Sequence, residues 1–218
     1  MKKIALIFLS VLMIVCLVGC GSNSDKSNDG NNSNTNINIT PAEIEQKIAD
    51  AIGKDNYLCD TDIDKDWLQN SFGFDLSKIE SYAAKQNSVS SVNPDTVIIL
   101  KVKDGYAEEA VKILNTSYSQ MVDYIRQYPF GTAKVLNARI YQSGNYVMYI
   151  LAGASYDGED SEAESKLAVS EYAKIDEAVK SVLKTLPKNS AVVPEDNGSA
   201  GGLTTSDDDG DMPMPGGN

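Results

Sequence analysis

The 218-residue chain contains no histidine, and this absence excludes more chemistry than any other feature of its composition. Without histidine there can be no Ser-His-Asp triad, no Cys-His dyad and no histidine-ligated zinc site. Three cysteines are present, and two of them, Cys16 and Cys20, lie in the N-terminal segment considered below. Only Cys59 remains, so we expect neither an intramolecular disulfide nor a thiolate metal cluster. We expect Cys59 to be a small buried apolar residue.

Basic residues are also scarce, with 19 lysines and arginines against 31 aspartates and glutamates. This balance argues against nucleic acid as a partner, because nucleic-acid-binding proteins present a basic face. Only Arg126 and Arg139 could recognise an anion through two parallel hydrogen bonds. Neither the GxxxxGK[ST] phosphate loop nor the GxGxxG dinucleotide motif occurs. The sequence therefore indicates no cofactor.

The N-terminus has the pattern of a secreted lipoprotein. Lys2 and Lys3 precede an apolar run over residues 4–18, which is shorter than the roughly 20 residues of a membrane-spanning helix. The run closes with Leu17-Val18-Gly19-Cys20. We therefore predict a signal peptide over residues 1–19 and lipidation of Cys20, which would anchor the protein on the extracytoplasmic face of the cell membrane.

Composition divides the rest of the chain into three parts. Residues 20–39 begin with the lipidated cysteine and continue as a polar stretch, which we expect to be a disordered tether. Residues 40–187 hold nearly all the apolar periodicity and have the length of one domain. Residues 188–218 are rich in Gly, Pro and Asp, and we expect them to be a disordered acidic tail.

The first half of the domain predicts two helices and two strands. Thr40-Pro41-Ala42-Glu43 is a capping box with proline at the first helical position, and Gly53 ends that helix. A shorter helix is predicted from Asp64 to Phe72, with Trp67, Leu68 and Phe72 as its buried side. Strands are predicted over residues 78–86 and over residues 96–103. In the second strand one face carries Ile98, Leu100 and Val102, and the other carries Val97, Ile99, Lys101 and Lys103.

The second half predicts a long helix over residues 106–127 and a hairpin with strands at residues 134–142 and 146–152. A last helix is predicted from Glu162 to Leu186. The order α-α-β-β-α-β-β-α predicts an α+β fold, with an antiparallel sheet of about four strands covered by helices on one face. The last helix has heptad-like spacing, and we favour packing on its own sheet over pairing with a second copy.

Several segments resemble a family of clostridial lipoproteins known as domain of unknown function family 4358. The resemblance covers roughly residues 62–152 and the N-terminal cysteine motif. It is carried by Phe74-Asp75-Leu76, Ser81-Tyr82, the stretch from Thr96 to Gly105, Gln120, Tyr124, Tyr128-Pro129 and the hairpin Gly144-Asn145-Tyr146-Val147-Met148. It implies a membrane-tethered protein of a Gram-positive organism and supplies no catalytic residues.

Four short patterns in the sequence resemble functional sites. Asp60, Asp62, Asp64 and Asp66 alternate, but the calcium-loop pattern would need glycine at Lys65 and glutamate at Ser71, so we favour an acidic turn that caps a helix over a weak calcium site. Ser181-Val182-Leu183-Lys184 fits S-x-x-K without its partner motifs, which indicates a chance match. Gly153-Ala154-Ser155 lacks the second glycine of a nucleophile elbow. Tyr141, Tyr149 and Tyr156 could line a surface.

These observations favour a non-enzymatic binding or interaction module, displayed on a lipid anchor and directed at a protein or cell-wall partner. The alternative is a hydrolase of cell-wall polymer that uses two carboxylates, which would need two acids roughly 5–10 Å apart in a cleft. Calcium-dependent adhesion is a third possibility. No catalytic or metal-binding residue is predicted, and Cys20 is the one site assigned.

Overall fold

The computed structural model describes residues 39–89, 93–128 and 131–196. The predicted signal peptide, Cys20 and all of the predicted tether except Ile39 lie outside these residues, as do residues 197–218 of the predicted tail. Those predictions are therefore untested by the structure. Among the helices of the described part, none has the length and apolar character needed to cross a bilayer.

Five helices and five strands follow one another in the part of the chain that the structure describes. The helices are α1 (Pro41–Ile52), α2 (Lys65–Trp67), α3 (Ala107–Ile125), α4 (Thr132–Leu136) and α5 (Ser161–Leu183). The strands are β1 (Thr61–Asp62), β2 (Ile79–Gln86), β3 (Thr96–Val102), β4 (Arg139–Ser143) and β5 (Tyr146–Leu151). A π-helical turn (Leu68–Phe72) and a 3₁₀ turn (Leu76–Lys78) join α2 to β2.

All strand pairs are antiparallel, and the strand order in the sheet is β1-β2-β3-β5-β4. The predicted α+β class and antiparallel sheet are confirmed. The sheet has five strands rather than about four, because the two-residue β1 pairs with the end of β2. So short a segment carries no periodicity from which a strand could be predicted.

Helices cover both faces of the sheet, so the prediction of cover on one face was wrong. Val97 and Ile99 of β3 pack with α1 and α5, whereas Ile98, Leu100 and Val102 pack with α3. The physical reason is visible in the sequence of β3 and β5, which is apolar on both faces. A strand of that kind must be covered twice to be removed from water.

The capped helix at the start of the domain forms as predicted. Thr40 Oγ1 accepts a hydrogen bond from the Glu43 amide, and the Glu43 carboxylate accepts one from the Thr40 amide. These two bonds satisfy amide groups that the first helical turn leaves unpaired. Ile44, Ile48 and Ile52 then fall on one side of α1 and are buried.

Two elements of the structure differ from the predictions made for them. The predicted strand from Lys134 begins only at Arg139, because Gly131, with φ of 84°, starts the short helix α4 and places Lys134 on it. Trp67, predicted to be buried, is 48% exposed. A π-helical turn begins directly after Trp67. Of Trp67, Leu68 and Phe72, which were predicted to form the buried side, only Leu68 is buried.

The chain past α5 stays attached to the domain. Residues 188–195, which we call the strap, run along the free edge of β4 and then along α3. Asn189, Ser190, Val192, Pro194 and Glu195 all hydrogen-bond to the domain. The predicted domain end at residue 187 was therefore too early. Composition could not show this, because the strap is held through backbone groups rather than by apolar side chains.

Candidate functional site

The most unusual internal feature is an ion pair between Asp95 and Lys134. Together with Asn93, Gly153 and Ser155, these two residues form a cluster that we call the Lys134 centre. Asp95 precedes β3 and is 0% exposed, and Lys134 on α4 is 9% exposed. Gly153 and Ser155 belong to the loop after β5. The centre therefore ties together three segments that are distant in the sequence, at one end of the sheet.

The Lys134 ammonium is surrounded by acceptors. Its Nζ lies against the Asp95 carboxylate, 3.1 Å from the Gly153 carbonyl oxygen and 3.1 Å from Ser155 Oγ. Asn93 Oδ1 is 3.5 Å away. Burial raises the pKa of Asp95 to about 6, and the neighbouring Lys134 opposes part of that rise. Above that pH the centre is a buried ion pair.

Two buried carboxylates of α5 hold the segments that carry the centre. Glu164 accepts a hydrogen bond from the Ala133 amide at 2.9 Å, and Glu171 accepts one from the Ala154 amide at 3.3 Å. Gly153 has φ of 126°, and a Cβ there would lie 3.1 Å from the Glu171 Cβ. Glycine is therefore required at Gly153 both by its backbone conformation and by the close approach of α5.

This geometry does not provide a catalytic base. An ammonium has three hydrogens and no lone pair, and the Lys134 ammonium is ion-paired with Asp95 and donates to Gly153 and Ser155. Ser155 therefore accepts a hydrogen bond from Lys134, and the Lys134 ammonium cannot remove the proton of the Ser155 hydroxyl. The arrangement joins the segment before β3, α4 and the loop after β5 through a buried ion pair and the hydrogen bonds of Lys134.

Both arginines are also committed to internal contacts. Arg139 forms two hydrogen bonds with the Asp176 carboxylate, at 3.0 and 3.1 Å, and lies over the Tyr172 ring at 4.9 Å from its centre. Arg126 donates to the strap carbonyls of Pro194 and Glu195. The two side chains suited to bidentate anion recognition therefore already have carboxylate or carbonyl partners.

Cys59, Asp64 and the S-x-x-K residues occupy structural positions. Cys59 is buried, as predicted, and burial raises the pKa of its thiol, with Asp95 as a further cause. Asp64 accepts a hydrogen bond from the Trp67 amide at 2.7 Å, which confirms the predicted cap. Ser181 and Lys184 each donate to a carbonyl of their own helix, at Ala178 and Ser181.

No group of three or more histidine, cysteine, aspartate or glutamate side chains converges as a metal site within the described part of the chain. The alternating aspartates are used separately. Asp60 accepts hydrogen bonds from the amide and hydroxyl of Ser88, at 2.7 and 2.8 Å, and Asp64 caps α2. The one site that the sequence assigned, Cys20, lies outside the described residues.

A shallow groove of about 310 Å³ lies beside β2 and is lined by Lys65, Leu76, Ile79, Glu80, Ser81 and Tyr82. Its lining contains a single carboxylate, Glu80, which is paired with Lys101 at 3.2 Å. Hydrolysis of a glycosidic bond by the usual mechanism needs a second carboxylate across the bond. This groove therefore lacks the arrangement that the hydrolase alternative requires.

The tyrosines predicted to line a surface do not do so together. Tyr141 and Tyr149 are 1% and 3% exposed and point to opposite faces of the sheet, where α5 and α3 cover them. The exposed aromatic pair is instead Tyr124 and Tyr128, at the end of α3. Their spacing of four residues, across the C-terminal end of a predicted helix, was the signal in the sequence that could have identified this pair.

The Tyr124–Tyr128 pair is ordered and open to solvent. The side chains are 38% and 48% exposed, and the ring centres lie 5.2 Å apart with an interplanar angle of 59°. The hydroxyl groups of Tyr124 and Tyr128 are hydrogen-bonded at 3.0 Å. Two large amphipathic side chains are thus held in a fixed mutual geometry on the surface.

Fold and site together define an α+β domain with a five-stranded antiparallel sheet between two helical layers in the described part of the chain, where the buried Asp95 and Lys134 form an ion pair. Residues 54–152 match the family model described as "Domain of unknown function (DUF4358)", the family that the resemblance indicated. The match spans β1 to β5 and includes Asp95, Lys134, Tyr124 and Tyr128. Helices α1 and α5, which cover one face of the sheet, lie outside it.

Neither the curated proteins nor the solved structures contain a match to this chain.

Proposed function

We propose that this protein is a lipoprotein, held through Cys20 on the extracytoplasmic face of the cell membrane, whose domain binds a partner and catalyses no reaction. The exposed Tyr124–Tyr128 pair carries the proposal. Tyrosine is enriched where proteins bind one another, because it buries a large area and loses little conformational freedom. The hydrogen bond between the two hydroxyls already fixes part of that geometry before a partner arrives.

The disposition of the charged groups supports a binding role over catalysis. Lys134 and Arg139 are paired with Asp95 and Asp176, and Glu171 is paired with Lys174. A catalytic acid, base or anion-binding group would need to face a cleft in which a substrate could lie. These groups instead join neighbouring elements of the fold.

Site-specific photo-crosslinking tests this proposal. A photo-crosslinking amino acid is placed at Tyr128 in the full-length lipidated protein, and the cells that produce it are irradiated intact. The matched control carries the same residue at Val169, which is 57% exposed on α5. We expect a discrete crosslinked species from position 128 that is absent from position 169.

A second variant identifies the surface responsible. Tyr124→Ser is introduced into the protein that carries the crosslinker at position 128, and we expect the crosslinked species to decrease strongly. Trp67→Ser, at another exposed aromatic residue, should leave it unchanged. Equal crosslinking from positions 128 and 169, or no dependence on Tyr124, would contradict a docking role for the tyrosine pair.

A further inference from the structure

The strap is recognised mainly through its backbone. The Asn115 side-chain amide donates to the Ser190 carbonyl at 3.0 Å and accepts from the Val192 amide at 2.8 Å. These are the two hydrogen bonds that a neighbouring β-strand residue would make with an extended chain. Asn115 on α3 therefore acts as a clamp for one extended peptide segment.

The remaining contacts follow the same principle. Arg126 donates to the Pro194 carbonyl at 2.9 Å and to the Glu195 carbonyl at 3.3 Å. At the edge of β4, the Ser190 amide donates to the Ile140 carbonyl at 2.8 Å, and Asn189 Oδ1 accepts from the Ile140 amide at 2.9 Å. The strap thus covers part of a sheet edge that would otherwise offer unpaired groups.

Side-chain burial contributes little to holding the strap. Val192 and Val193 are 65% and 43% exposed, and only Ala191 packs against the core. Asn115, Arg126 and the edge of β4 therefore form a groove for an extended peptide. The peptide is held there by hydrogen bonds rather than by a buried apolar side chain. Such a segment can leave and return without opening the core.

The link between α5 and the strap carries local strain. Lys184 has φ of 69°, and it is the one non-glycine residue with positive φ among the described residues. A side chain disfavours that conformation, so the turn that directs the strap back onto its own domain has a cost. Leu186, in the same link, is 42% exposed and does not anchor it.

We propose that the strap is exchangeable between two copies of this chain, so that the strap of each copy lies in the groove of the other. The occupant is known to fit, because the same segment fills the same groove within one chain. A strap bound to the other copy keeps every hydrogen bond described above. If the link between α5 and the strap is extended, Lys184 no longer has to adopt a positive φ. This inference does not rest on the proposed binding role of the tyrosine pair.

Shortening the link tests the exchange. Removal of Thr185 and Leu186 prevents a strap from reaching the groove of its own chain but leaves the strap and groove intact. We expect this variant to be a dimer by native mass spectrometry, with the wild type mainly monomeric. Lys184→Gly, which permits the turn without strain, should lower the dimer fraction of the wild type. A shortened variant that stays monomeric would overturn the proposal.

A second measurement applies even if the shortened variant does not fold. Wild-type chains with a photo-crosslinking residue at Val193 are unfolded with ¹⁵N-labelled chains and refolded together at high concentration. Exchange predicts crosslinks that join unlabelled position 193 to labelled peptides of α3, and Asn115→Ala with Arg126→Ala in both chains should abolish them. Crosslinks confined to unlabelled chains would overturn the proposal.

Discussion

The carboxylate of Asp95, on the segment leading into the central strand, lies buried against the ammonium of Lys134 on α4. The two residues are far apart in the sequence, and neither has another ion-pair partner in the described part of the chain. Their contact fixes one end of the sheet to α4 and to the loop after β5. The stability of this end therefore depends on the charge states of both groups.

We predict that Lys134→Met destabilises the protein by about 3–5 kcal/mol at pH 7, because it leaves a buried carboxylate without its counter-ion. The matched control is Asp95→Asn with Lys134→Met, which removes both charges and should recover most of the loss. Urea unfolding at pH 7 measures the difference. A loss below about 1 kcal/mol in the single variant would show that the pair does not form as described.

Asp95 should also give a distinctive pH dependence. Its pKa is about 6 in the folded protein against 3.8 as the ordinary value, so the folded state binds this proton more tightly than the unfolded state. Folding stability should therefore rise as pH falls from above 6 towards 4, by about 3 kcal/mol from this group at 1.36 kcal/mol per pKa unit.

The comparison with Asp95→Asn isolates this effect. Hydrogen bonds lower the pKa of Asp60 and Asp75, so those groups favour the fold more at higher pH and oppose the trend. The difference in unfolding free energy between wild type and Asp95→Asn should shift in favour of the wild type between pH 7 and pH 4. A constant difference over that range would contradict the assignment.

Arg139 and Asp176 provide a prediction for the contact between β4 and α5. Arg139→Lys keeps the charge but loses the two parallel hydrogen bonds to Asp176 and the contact with the Tyr172 ring. We expect a loss of about 1–3 kcal/mol in thermal or urea unfolding, because Lys cannot reproduce the planar fork. Lys180→Arg, at an exposed pair with Glu177, is the control and should change stability by less than about 0.5 kcal/mol.

The tyrosine pair should matter for binding and not for folding. Tyr124→Ser with Tyr128→Ser removes two exposed side chains, so we expect unfolding free energy to change by less than about 1 kcal/mol. Tyr118→Ser, on the buried side of the same helix, should cost about 3 kcal/mol or more because it opens a cavity. Similar losses in the two variants would mean that Tyr124 and Tyr128 have a structural role.

Local patterns predicted most of the elements of this fold. The capping box at Thr40 and Glu43 fixed the start of α1, and alternation in residues 96–102 predicted β3, because both signals depend on residues close together in the chain. The cover on both faces was missed although β3 is apolar on both sides. The number of layers depends on how α1 and α5 return to the sheet, which a local pattern does not specify.

The candidate sites were harder to predict from the sequence than the helices and strands. Lys134 was placed on a strand because Leu136, Ala138 and Ile140 alternate, and its partner Asp95 lies 39 positions earlier. A tertiary ion pair of this kind leaves no periodic signal. The strap was missed for a related reason, because Asn115 and Arg126 recognise its backbone, and backbone groups are the same in every sequence.

The most direct test of the proposed lipoprotein is the mass of its N-terminal peptide, isolated from the membranes of the cells that produce it. We predict that the mature chain begins at Cys20 and carries acyl groups on that residue, and that Cys20→Ala yields neither the cleavage nor the acylation. A wild-type chain that keeps residues 1–19 and carries no acyl group would contradict the account.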